Sequence, residues 1–331
     1  MNRKLATIRR VKEIFPIPNA DKIEGVKLDG WQTVCKRNEF KVGDLGLFFE
    51  IDSILDADNP YFAFLADKKY RIKTCKLKKT LSQGLFVPLN ILDFYNYDWH
   101  VKEGDDLTEI TKTIKFEPPI PVQLQGLMRG NFPTHLIPRT DEERVQNFPD
   151  IINEFKGKEV YVSLKIDGTS ATYFKLNNEL RVCSRNIEFK TEENLDNLYC
   201  KIAKELDLIT RLPEGYGIQA ELAGKSIQGN KMGLDNVRPF VFNVYNLLER
   251  SYLDYKDMLD FCANAGLLTV PIIYVGDFKW NGIEELLNYA SELNYPNGSC
   301  AEGCVIRPVI ETLSPTLEGR LSIKAISNRF L

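Results

Sequence analysis

Glu159-Val-Tyr-Val-Ser-Leu-Lys165-Ile-Asp167-Gly168-Thr169 is an apolar strand pattern that runs into a turn. Side chains alternate across a strand, so Val162 and Leu164 share one face and Ser163 and Lys165 the other. Lys165 is therefore expected at a strand end, pointing out of the sheet beside the Asp167-Gly168 turn pair. A rim lysine before an ordinary hairpin has the same local signature.

From about Ile151 onward, strand and helix patterns alternate around this stretch. Ala171–Phe174, Leu180–Ser184, Phe240–Tyr245, Gly303–Arg307 and Arg320–Lys324 read as strands. Glu192 to Leu212 carries Leu195, Leu198, Ile202 and Leu206 at helical spacing, and Tyr255 to Ala265 and Ile283 to Leu293 also read as helices. This is an α+β domain of antiparallel sheets plus helices, not a βαβ winding. No GxGxxG or GxxxxGKS string occurs, which removes the Rossmann and P-loop phosphate cradles.

The first half is rich in short β-like runs, clearest at Leu45–Asp52 and Gly84–Pro88, among turn signals such as Leu28-Asp-Gly30. That spacing suggests a small closed β barrel. A proline cluster, Glu117-Pro-Pro-Ile-Pro121, reads as the connection between domains. Thr140 followed by Glu143 forms a capping-box string that starts a short helix over Thr140–Gln146. The expected division is 1–117 for the β module, 118–150 for the connecting segment and 151–331 for the α+β domain.

Composition narrows the function classes. A net charge of −3 from 43 basic and 46 acidic residues excludes a globally basic nucleic-acid coat, though not a local basic patch. No apolar run approaches the ~18 residues of a membrane span, and no apolar signal core follows the charged start Met1-Asn2-Arg3-Lys4. Seven cysteines without a CxxC string suit reduced thiols in a cytoplasmic protein without membrane attachment. Only His100 and His135 exist, so a histidine-rich zinc site or a histidine phosphoryl relay is not expected.

Further chemistry-bearing strings follow Lys165 in a fixed order. They are Ser184-Arg185-Asn186, Glu221 with Gly224, Phe240-Val-Phe242-Asn243, Glu302-Gly303 with Val305 and Arg307, and Ser322-Ile-Lys324. Taken singly they are strand ends, turns and core aromatics. As an ordered series they resemble the motifs of the covalent lysyl-nucleotidyltransferases: DNA ligases, RNA ligases and mRNA capping enzymes. Lys165-Ile-Asp167-Gly168 resembles the nucleophile motif of that superfamily.

Most DNA ligases and capping enzymes carry an OB barrel after the last of these motifs. Seven residues follow Lys324, so none is expected there, and the β-rich module stands in front instead. This layout resembles the ATP-dependent RNA ligases of the RNA ligase 5 branch, relatives of the RNA ligase 2 type with an N-terminal OB domain. The resemblance implies an ATP-grasp-like DNA/RNA ligase domain of antiparallel sheets plus helices, preceded by an all-β OB barrel. One position departs from it. RNA ligase 2 relatives usually have lysines in K-x-K spacing in the final motif, and the first place here is Ser322.

What the resemblance implies for chemistry is specific. Lys165 attacks the α-phosphate of ATP and expels pyrophosphate. AMP then moves to an RNA 5′-phosphate, and the 3′-OH displaces it. A lysine amine is mostly protonated at neutral pH, so Lys165 is expected to be depressed by desolvation, by Lys324 and by a bound metal. Mg2+ or Mn2+ would be held by Glu302, with Asp167 and Glu221 in the same shell; Glu221 alternatively binds the ribose hydroxyl. Phe242 stacks on adenine or simply packs beside Phe240. Arg185 and Arg144 are candidates for phosphate or RNA contacts.

The β module adds seven basic residues in the twelve from Lys68 to Lys79, with no acid among them. Strand alternation would put Lys69, Arg71 and Lys73 on one face, a stripe suited to RNA phosphates. The plainer reading is a solvated edge strand guarded by lysines. The expectation is a monomeric ATP-dependent RNA ligase acting on RNA 3′-OH and 5′-phosphate ends, nicked duplex among them, in RNA repair. A DNA ligase, a GTP-using guanylyltransferase and a catalytically retired nucleic-acid-binding protein are the alternatives.

Overall fold

The structure, a computed structural model, describes residues 3–119, 126–191 and 196–331. Met1 and Asn2 of the start, Ile120 and Pro121 of the proline cluster, and Glu192 and Leu195 of the stretch expected to be helical to Leu212 lie outside the described residues, and the described part of that stretch is two helices, Leu198–Glu205 and Leu208–Arg211. Contacts divide the chain into two compact units, residues 1–119 with Leu331 and residues 120–330. Among the described residues no helix is long and apolar enough to cross a membrane.

The first unit is built on two antiparallel three-stranded sheets. One orders Ala6–Arg10, Leu45–Phe49 and Leu85–Val87; the other is the meander Glu13–Pro16, Ile23–Leu28 and Trp31–Lys36. The central run Leu45–Phe49 is apolar throughout because both its faces are buried. Leu47 and Phe49 join Ala6, Ile8 and Phe62, whereas Phe48 joins Val26, Leu28 and Trp31.

In the second unit a seven-stranded antiparallel sheet orders Met128–Asn131, Ile187–Phe189, Glu179–Ser184, Thr169–Leu176, Tyr216–Ala223, Arg238–Asn246 and Ser251–Tyr252. A five-stranded sheet orders Glu143–Arg144, Ile323–Ile326, Gly303–Pro308, Glu159–Lys165 and Ile272–Asp277. Each sheet buries one face under helices. Tyr173, Ile218, Leu222 and Val244 pack with Ile202, Leu208 and Met258. Val160, Val162, Ile306 and Ile323 pack with Phe155, Leu286 and Leu287. The helix Ile283–Glu292 shows why: Ile283, Leu286, Leu287 and Ala290 recur on one face and are all buried. Each such leucine or isoleucine stabilises the fold by roughly 1.5–3 kcal/mol.

Several local expectations change. The expected helix Thr140–Gln146 does not form. Instead Glu143–Arg144 is a short strand parallel to Ile323–Lys324, a single 3-10 turn follows at Val145–Asn147, and α-helix begins at Ile151. Neither half of the capping box is free to cap, because Thr140 Oγ1 lies 3.1 Å from Ser170 Oγ and the Glu143 carboxylate accepts from Asn147 Nδ2. With Met128–Asn131 and Glu143–Arg144 in the two sheets, much of the segment 118–150 is woven into the second unit. Arg320–Lys324 is two strands, Gly319–Arg320 and Ile323–Ile326, rather than one.

The basic run is not one strand either. Pro60–Lys68 is a 3-10 helix capped by Asn59, and Lys69 and Tyr70 follow at φ 53° and 57°. Cys75–Leu77 then pairs with Thr80–Ser82 across a two-residue turn at Lys78 and Lys79. Lys69 and Lys73 remain exposed. Arg71 turns inward: its guanidinium lies 2.6 Å from Asp52 Oδ1 and 3.5 Å from the Phe116 ring centroid. The three side chains therefore do not share a strand face.

Candidate active site

Strand register builds the site. In the five-stranded sheet Lys165 lies opposite Gly303, Ser163 opposite Val305, and Val305 opposite Lys324. Opposed residues share a face, so Lys165, Ser163, Val305 and Lys324 form one surface, continued by Arg307 and Ser322. The other face is the apolar one against the helices, so the alternation read from the sequence places the lysines away from the core.

The second wall comes from the seven-stranded sheet. Ser170 pairs with Glu221, and Glu221 with Phe240. The ladder slips between Gln219 and Ala220, whose partners are Asn243 and Val241. Phe242 is the unpaired residue of this bulge and is turned to the cavity edge, while still packing against the cluster that contains Phe240.

Between the two walls lies a cavity of about 390 Å³, within the usual range for a small-molecule site. Lys165, Asp167, Arg185, Glu221, Phe242, Glu302 and Lys324 all line it. Arg144 is not among the lining residues; it stands beside Lys324 on the parallel strand. Two glycines make this closeness possible. A Cβ on Gly168 would come within 2.3 Å of the Leu222 carbonyl, and one on Gly303, at φ 145°, within 2.0 Å of that of Ala325.

Lys165 Nζ donates to Glu302 Oε2 at 2.6 Å, with both side chains about four-fifths buried (25% and 18% exposed). Lys165 is thus paired with a carboxylate rather than set in a purely cationic field. Burial first, then repulsion from Lys165 and Arg144, push Lys324 down to about 7. Burial, reinforced by Glu302 and Asp167, pushes the Glu221 carboxyl up to about 7 even though Lys165 pulls it down. Asp167 is raised by burial and by Glu302. At the rim, Arg185 Nη2 lies 2.5 Å from Asp141 Oδ1.

Sequence reading passed over Glu142, which underlies the cavity. Glu142 Oε1 accepts from Arg307 Nη2 at 2.6 Å, and Arg307, 1% exposed, also donates to Ser322 Oγ and the Phe242 carbonyl. Ser322, at the position where the resemblance led to an expected lysine, therefore serves this buried ion pair. A lysine there would set a further cation beside Arg307. An acid just before a strand has no distinguishing local signal, so only its partner reveals it.

Comparison with known proteins decides the family. A family model described as RNA ligase matches residues 158–326, and one described as an OB-fold domain matches residues 5–89. The chain belongs to the RNA ligase family. The ligase is similar to a solved apo mutant RNA ligase of Naegleria gruberi, at 34% identity and TM-score 0.81, covering 99% of this chain and 97% of that one. A mutant of that ligase with ATP and Mn aligns at 33% identity and TM-score 0.81, covering 99% and 98%. The form with PPi aligns at 34% and 0.79, again covering 99% and 98%. Comparison with curated proteins gives no match.

The raised Glu221 carboxyl makes a prediction for this ligase. Its folded value of about 7 exceeds the ordinary 4.5, so the folded protein holds more protons than the unfolded chain between these limits. Stability contributed by the neutral form is present below about 4.5 and is lost as pH rises through about 7. Glu221→Gln is expected to stabilise the free ligase by about 1–3 kcal/mol at about pH 8, with no gain near pH 4, and to impair nucleotide transfer. Urea unfolding at both pH values checks it; an equal gain at both would contradict the assignment.

Proposed function

We propose that this RNA ligase uses ATP to join RNA 3′-OH and 5′-phosphate ends, through a lysyl-AMP on Lys165 and an RNA-adenylate. The observation that carries the reading is the Lys165–Glu302 pair, 2.6 Å apart, in a 390 Å³ cavity that also receives Phe242 and Lys324. The Lys165 amine attacks the α-phosphorus, the P–N bond forms, and pyrophosphate leaves. Glu302 holds the amine's hydrogen bond and is the nearest group to take its proton. Phe242, which lines the cavity, stacks on the adenine. An entering triphosphate would restore the charge on Lys324, which burial suppresses in the free protein.

The carboxylates fit a hard divalent ion, Mg2+ or Mn2+. Asp167, Glu221 and Glu302 line one cavity, and burial first, then the neighbouring carboxylates, raise Asp167 and Glu221, a repulsion that a cation would relieve. Among the described residues no three acidic, histidine or cysteine side chains suffice to hold an ion alone. That suits an ion which keeps waters and takes phosphate oxygens. Bound there, it would neutralise charge on the phosphates.

Arg185 and Arg144 are assigned to the incoming RNA phosphate. Lys69 and Lys73, with the exposed Lys76, Lys78 and Lys79 of the Cys75–Leu77 hairpin, are assigned to the RNA backbone. The enzyme acts as a monomer on nicked duplex RNA, in a reducing, cytoplasm-like compartment that matches its seven free cysteines. The test is sealing of a nicked RNA duplex with 3′-OH and 5′-phosphate ends. Product is expected with ATP and a divalent metal and not with GTP; no product under any metal and pH condition, or equal use of GTP, would overturn the reading.

A further inference from the structure

The residues that meet in the cavity come from distant parts of the chain, and one buried hydroxyl ties two of their backbones together. Tyr295 is 2% exposed and sits in the turn Asn294-Tyr-Pro-Asn-Gly298 that precedes Glu302. Its hydroxyl donates to the Lys165 carbonyl at 2.8 Å. It accepts from the Asp167 N–H at 3.0 Å and from the Glu302 N–H at 3.3 Å. A tyrosine oxygen has one proton and room for two such acceptances, so its hydrogen-bonding capacity is filled. Burial pushes the phenol up to about 12, so the proton stays on the oxygen at neutral pH and goes to the one acceptor among the three.

The turn carrying Tyr295 is itself fastened. Its N–H donates to the Ser299 carbonyl at 2.8 Å. Asn297 Nδ2 and Ser299 Oγ both donate to the Lys231 carbonyl, at 2.9 and 2.6 Å. The ring is packed against Leu164, Ile166 and Phe240. An anchored, fully bonded hydroxyl at this place has a geometric effect. It fixes the backbone on either side of the lysine-to-turn junction and the backbone of the residue that pairs with the lysine amine.

We infer that Tyr295 is a positioning residue for nucleotide transfer: its hydroxyl holds the Lys165–Asp167 turn and Glu302 in the register that puts the amine against its carboxylate partner. The inference rests on the proposed transfer of adenylate to Lys165. Misplacement of a nucleophile by a fraction of the reacting distance costs on the order of 10- to 100-fold in rate. The final sealing step does not use the lysine amine as a nucleophile and therefore tests whether the effect is specific.

Tyr295→Phe keeps the ring and removes only the hydroxyl. Two rates are measured on the full chain: adduct formation from labelled ATP at saturation, and sealing of RNA already adenylylated at its 5′ end. The ratio of the first to the second is expected to fall by at least about 10-fold, with the ATP KM shifted by less than about threefold. Thermal melting reports how much fold is lost. A proportionate loss in both rates, or an unchanged adduct rate, overturns the inference. If Tyr295→Phe does not fold, Ser299→Ala decides it: loosening the same turn from its outer anchor should lower the ratio about twofold to fivefold, and an unchanged ratio overturns the inference. A wild-type protein that forms no adduct at all would instead overturn the proposed function.

Discussion

Lys165→Ala is expected to take up no label from ATP, a loss of more than about 10³-fold in adduct formation, because no other group on this cavity face can replace the amine. Lys324 lines the same cavity but sits two strands away, opposite Val305 rather than Gly303, so it is not a substitute nucleophile. Lys165→Arg separates nucleophile from charge. A guanidinium would keep a cation beside Glu302 but stays protonated in any protein, so it should be as inactive as alanine. Label retained by either variant would mean that the covalent centre lies elsewhere.

The largest structural effect is expected at Arg307. It is buried and bonded to Ser322, Tyr161, the Phe242 carbonyl and Glu142. Despite the opposing pull of burial, Arg307 and Arg320 hold the Glu142 carboxyl down to about 2. Removing Arg307 takes away the partner that Glu142 is hydrogen-bonded to and leaves only Arg320 to offset its buried charge, which costs about 3–5 kcal/mol. Arg307→Met should therefore lower stability by that amount at neutral pH, as read by chemical denaturation.

The sign with pH follows from Glu142. Its folded value lies below its ordinary 4.5, so the stability it contributes is present above about 4.5 and is lost as pH falls toward about 2. The gap between wild type and Arg307→Met should close over that range. Combining Arg307→Met with Glu142→Leu should recover part of the loss, because the pair as a whole is worth less than its broken half. A pH-independent gap would show that packing rather than charge is responsible.

Much of this site was legible because its residues lie on strands long enough to alternate. Glu159–Lys165 and Gly303–Pro308 each show which side chains face the core, and the ordered motif series told which of the outward ones belong together. The helix Ile283–Glu292 was legible for the same reason at a different period. What escaped was whatever depends on a distant partner. A two-residue strand such as Glu143–Arg144 has no period, and it forms because Ile323–Lys324 offers it an edge. The basic run looked like a strand by its alternation, but Arg71 is drawn to Asp52 and Phe116. Lys165 was expected among cations and is found against Glu302, with Lys324 two strands away. Tyr295 had only a turn signal, and its importance lies in which three backbone groups reach its oxygen.

Locating the modified residue tests the central claim most directly. Protein incubated with ATP and a divalent metal would be digested and its peptides weighed and fragmented. The account predicts one adenylate, bound through nitrogen and therefore labile to acid and stable to base, on the peptide that contains Lys165 and on that side chain. An adenylate found on Lys324 or any other residue, or no adenylate on a protein that nevertheless seals RNA, would contradict it.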